Sequence, residues 1–190
     1  FNKIIMPLDI GVGIFISIFA SGIFGTALSF KVVVLSVLSN LAPDLDVFVE
    51  LTKRGKVGGS VQGHHRQLTH FPLTYAPVLL LVYYFFGWIW AFVIGANLLA
   101  HFLHDSIGMG WGIKWLWPFS KKSYKFFSEK DGSFSGNLIT SWSPSELKAV
   151  VSKHGDNHWF RNFYMRMHPV AIFEFLFFIA SVAALLYYIV

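Results

Sequence analysis

The feature that most constrains this chain is a set of long apolar runs with almost no charge. Ile10 to Phe30 holds no Asp, Glu, Lys, Arg or His. As a helix it is long enough to cross a hydrocarbon core of ~30 Å, which takes about 20 residues. A cleaved signal peptide would place Lys3 before a shorter apolar stretch of about 7–15 residues. The longer run here favours a retained span. Composition agrees: 55% of residues are hydrophobic and 13% charged, against about 25% charged in soluble domains.

The second run, Val32 to Leu51, is interrupted by Asn40, Pro43, Asp44 and Asp46. Pro43 removes a backbone donor and disfavours helix at Ala42, so a kink or restart is expected. A polar stretch from Thr52 to His70 follows. Phe71 to Ala100 then carries no charge and no histidine. That is too long for one straight span, and Gly87 divides it. Two helices are expected, about 71–86 and 88–106, with one long bent helix as the alternative. Residues 111–167 are mixed, polar and aromatic. Ser143-Pro-Ser-Glu146 reads as a capped helix start, over about 144–154. Pro169 to Val190 is a last span holding one acid, Glu174.

The fold class expected is therefore all-α: a polytopic membrane helical bundle of about five spans, one domain over 1–190. Five spans put Lys3, Lys53, Arg54, Lys56, Arg66 and every Lys and Arg of 111–167 on one side, and only Lys31 on the other. Basic short loops favour the cytoplasm. A multi-pass protein of the inner (cell) membrane, with its polar segment at the cytoplasmic face, is expected. The net charge of +5 fits anionic lipid rather than nucleic acid. Membrane lipid is the expected partner.

The same alternation gathers ionisable residues at that face. Asp44-Leu-Asp46 offers two carboxylates beside a proline break. Its bland reading is a turn or cap motif. His64-His65-Arg66-Gln67-Leu68-Thr69-His70 offers imidazoles at a helix start that Thr69 could cap. Its bland reading is a solvated basic loop. His101 and Asp105 are four apart, on one helix face, with His104 pointing elsewhere. With no cysteine in the chain, any metal falls to His, carboxylates, carbonyls or water. The expected ligands are Asp44, Asp46, His65, His70, His101 and Asp105, with Asp9 a looser addition. Arg66 would steady a phosphate or, equally, anchor the chain at the membrane surface, and His64 or His104 would act as general acid or base. Glu174 would be an outer ligand or a partner of Arg161 or Arg166. His154, Asp156 and His158 read as a surface loop.

Three elements in this order resemble the membrane-bound metal-dependent hydrolases of bacteria and archaea. They are Pro43-Asp44-Leu45-Asp46, His65-Arg66-Gln67-Leu68-Thr69-His70, and His101 to Asp105 with Trp117-Pro118-Phe119. The resemblance covers about residues 1–120. It departs at Asp9 and Val47, where relatives often carry histidine. That family is in turn loosely similar to zinc-dependent phospholipase C. The resemblance implies one or two divalent ions, with Zn²⁺ or Mn²⁺ first in line, and a phosphoester of a lipid or lipid-linked substrate. Two rivals remain. A non-enzymatic metal-binding membrane protein, a sensor or scaffold, predicts a closed coordination shell. A small transporter predicts polar residues along a path to the other side, where these runs are almost wholly apolar.

Overall fold

A computed structural model describes residues 7–61, 66, 69–108 and 110–189. The chain divides into two compact units. The first comprises residues 1–42, 77–100 and 160–190, and the second 43–76 and 101–159.

The first unit is built on α1 (Pro7–Phe24), α2 (Phe30–Leu41), α4 (Ala76–Phe86), the first part of α5 (Trp88–Ile107) and α7 (Pro169–Ile189). Small residues let α1 pack closely against its neighbours. A Cβ on Gly13 would lie 2.7 Å from Val37 Cα, and one on Gly11 3.0 Å from the Phe177 ring. Polar side chains then link the helices. Ser36 Oγ donates to Gly13 O at 2.7 Å, and Asn97 Nδ2 donates to Ser36 Oγ at 2.7 Å. Asn40 Nδ2 donates to Asn97 O at 3.2 Å. Such bonds matter in an apolar surrounding, where an unmet polar group finds no water. Buried Glu174 accepts a bond from the Tyr164 hydroxyl at 2.9 Å.

Among the described residues, three helical stretches are long and apolar enough to cross a membrane: Pro7–Phe24, Phe30–Arg54 and Pro169–Ile189. The expected division at Gly87 is present. Its φ of +87° is open to glycine at no steric cost, and α4 ends there as α5 begins. Pro72–Phe86 is apolar but shorter, and α5 carries Asn97, His101, His104 and Asp105. Length and hydropathy alone therefore identify three candidate spans among the described residues, where about five were expected. The all-α expectation also needs correction, because the mostly helical chain includes a two-stranded sheet.

In the second unit, the break at Pro43 becomes a 3-10 turn, Ala42–Leu45, before α3 (Asp46–Arg54). A second 3-10 turn, Pro72–Tyr75, leads into α4. Antiparallel strands β1 (Ser123–Ser128) and β2 (Phe134–Trp142) form a hairpin. α6 (Pro144–His154) starts with the expected capping box of Ser143 and Glu146. Its Leu147 and Val151 pack on buried Trp142.

Candidate metal centre

Three sequence-distant elements bring the centre together inside the second unit. The 3-10 turn supplies Asp44, the segment before α4 supplies His70, and the last turns of α5 supply His101. Proline fixes the first of these. Pro43 cannot continue the α2 hydrogen-bond ladder, and its carbonyl instead accepts the Thr69 hydroxyl. Thr69 thus ties two segments together rather than capping a helix. The Tyr75 hydroxyl donates to Thr69 O at 2.9 Å, which holds His70 between two anchored residues.

The donor geometry is one that could hold a metal ion. His70 Nε2 and His101 Nε2 are 3.3 Å apart. Asp44 Oδ1 lies 3.5 Å from the first and 3.7 Å from the second. Tetrahedral ligands about 2.0–2.1 Å from an ion sit roughly 3.4 Å from one another. Two imidazole nitrogens and one carboxylate oxygen, all within 4.8 Å of each other, could hold a divalent ion. This donor set suits Zn²⁺ and Mn²⁺ alike. Both histidines are fully buried.

The supporting contacts are specific. Asp46 meets His70 from behind: its Oδ2 is 3.1 Å from Nδ1, the nitrogen facing away from the three grouped donors. The Arg66 backbone N–H donates to the same oxygen at 2.8 Å. Asp46 was expected as a ligand, and it stands outside the grouped three. Asp105 Oδ2 lies 3.1 Å from His70 Nε2 and 3.6 Å from His101 Nε2. Its Oδ1 is held by the Arg66 guanidinium. The guanidinium expected to meet a phosphate thus already holds a carboxylate. Gly110 makes room for it, since a Cβ there would lie 2.2 Å from Arg66 Nη1. Trp117, from the Trp-Pro-Phe stretch, stacks on Phe71, the residue after His70, with centroids 4.7 Å apart.

The remaining expected residues divide. His64 and His65 lie outside the described residues. Asp9 is buried in α1, within the first unit, and Glu174 belongs to that unit too. His104 is half-buried, three residues after His101. His154, Asp156 and His158 are exposed, and Asp156 Oδ1 accepts the His158 backbone N–H at 2.7 Å. Sequence reasoning missed Lys125, whose place on a buried strand face no motif signals.

Burial disfavours a charged His70. Hydrogen bonds to Asp105, Asp44 and Asp46 outweigh it, so in the metal-free protein its pKa stands well above the usual value. A cation in the centre would take over that role, since metal ligation requires neutral imidazole.

No curated protein and no solved structure matches the chain. A family model described as YdjM inner membrane protein matches residues 9–190. Apolar helices long enough to span a bilayer are what that description requires, and the chain belongs to the YdjM inner membrane protein family.

Proposed function

We propose that this chain is a membrane-embedded, metal-dependent hydrolase acting on a phosphoester of a lipid or lipid-linked substrate. The observation that carries the reading is the convergence of Asp44 Oδ1, His70 Nε2 and His101 Nε2 to 3.3–3.7 Å. A divalent ion, zinc or manganese, would supply acidified water and polarise a phosphoryl oxygen. Asp44, His70 and His101 hold that ion. Asp46 fixes the His70 tautomer by accepting the Nδ1–H, which turns the Nε2 lone pair toward the centre. Arg66 balances Asp105 beside the histidines. His104 serves as the proton-transfer group, with His64 as its alternate. The basic loops support a five-span arrangement with the centre at the cytoplasmic face, where headgroups are within reach.

A second reading has its own support. Asp105 Oδ2 lies close enough to both histidine nitrogens to act as a fourth protein donor. A shell closed in that way suits a non-enzymatic metal-binding protein.

The test uses protein purified in lipid nanodiscs and loaded with Zn²⁺ or Mn²⁺. Hydrolysis of a phosphodiester ester or a phospholipid is expected, with loss in Asp44→Ala and His101→Ala. Metal binding without hydrolysis favours the second reading. Hydrolysis that survives both substitutions overturns the first.

A further inference from the structure

The β1–β2 hairpin buries polar residues beside Trp142 and leaves large apolar ones exposed. Pairing puts Ser123 with Trp142 and Lys125 with Thr140 on one face. All four are buried, the lysine included. Lys125 Nζ donates inward to Gly110 O at 2.8 Å and Gly132 O at 3.3 Å. The opposite face carries the Phe126–Ile139 pair, and Ile139 is 64% exposed. A register shift follows Phe126. There Phe127 takes φ +53°, and its ring meets Phe134 at 6.5 Å. Phe134 is 82% exposed and Leu138 71%. Phe119, just before β1, is 88% exposed. A water-facing hairpin alternates the other way, with apolar side chains inward.

We propose that this hairpin seats its exposed apolar side chains, Phe127, Phe134, Leu138 and Ile139, in the headgroup region of an anionic lipid bilayer. Phe and Leu side chains are the ones that interfacial segments bury shallowly at the headgroup–acyl boundary. Exposed lysines stand beside them, with Lys121 and Lys122 shortly after Phe119. Each lysine near an anionic surface adds about 1 kcal/mol of attraction. The two outer strand edges keep unpaired backbone groups, which confines the hairpin to the hydrated headgroup region rather than the hydrocarbon. The chain belongs to an inner-membrane family, so a bilayer is the apolar phase at hand. The inference is independent of the metal centre.

The chain has no native cysteine, so single labels report without background. Leu138→Cys and, as control, Lys153→Cys on exposed α6 are labelled with an environment-sensitive fluorophore. The full chain is placed in nanodiscs of phosphatidylglycerol–phosphatidylcholine or of phosphatidylcholine alone. The label at 138 is expected to emit to the blue and to be quenched by shallow spin-labelled lipid, while the label at 153 is not. Replacing Lys121 and Lys122 by Gln should lower the inserted-to-free ratio in anionic discs by roughly fivefold per lysine. Phe127→Ser with Phe134→Ser should abolish quenching while leaving metal content unchanged. Water-like emission at 138 that iodide quenches would overturn the proposal. So would blue-shifted emission that lipid quenchers cannot reach, which would identify a protein surface as the cover.

Discussion

Asp46 Oδ2 lies 3.1 Å from His70 Nδ1 while also accepting the Arg66 backbone N–H at 2.8 Å. One carboxylate oxygen thereby fixes an imidazole and the backbone of the loop before it. Outer contacts of this kind set ligand orientation, and removing them costs about 10–100-fold in metal affinity. Asp46→Ala should weaken Zn²⁺ binding within that range, measured by competition with a chelating dye. Asp44→Ala should weaken it further, because it removes a donor. Equal losses for the two variants would show that Asp46 is itself a ligand.

The raised His70 pKa predicts opposite pH trends for stability and metal affinity. The folded pKa lies above the ordinary value of 6.5, so in metal-free protein its contribution is whole below that pH. It fades as pH rises through the folded pKa. Metal binding must expel the same proton, so affinity should rise over the same window. Thermal unfolding without metal, beside Zn²⁺ titrations at several pH values, checks both signs.

Lys125 predicts a second, opposite linkage. Burial, then repulsion from Arg66, lowers its pKa to about 8. The unfolded chain keeps its proton up to a pH of about 10.4. Between these values the unfolded state binds more protons, so stability of the hairpin should rise with pH. Amine chemical shifts of ¹³C-methylated lysines should show one group titrating near 8.

Gly13→Ala should loosen the first unit. The added Cβ would meet Val37 Cα at 2.7 Å, a backbone atom that cannot rotate away. Overpacking of this kind costs about 1–3 kcal/mol. Gly22, with nothing within 4 Å of such a Cβ, is the control. Unfolding in mixed micelles measures the difference, and equal stability of the two variants would contradict the packing described.

Local chemistry made much of this legible in advance. Pro43 forecast the break in the second apolar stretch, Gly87 the division of the third, and Ser143 with Glu146 the start of α6. Asp44, His70 and His101 were readable as candidate ligands because few other reasons put such groups at the ends of apolar helices. The distinction between Asp44 and Asp46 was not readable. It depends on the 3-10 turn, which sends one carboxylate to His70 Nε2 and the other to Nδ1. The hairpin was hidden for a related reason. Its buried face bears Ser123, Lys125 and Thr140 beside the single large apolar Trp142, so strand alternation carries little of the pattern of an inward apolar face.

The most direct measurement of the central claim is the metal content of the purified chain after equilibration with Zn²⁺ and removal of excess. The account predicts at least one ion per chain, lost in both His70→Ala and His101→Ala proteins that keep their helical circular dichroism. A chain that retains no ion, or variants that retain as much as the parent, would contradict it.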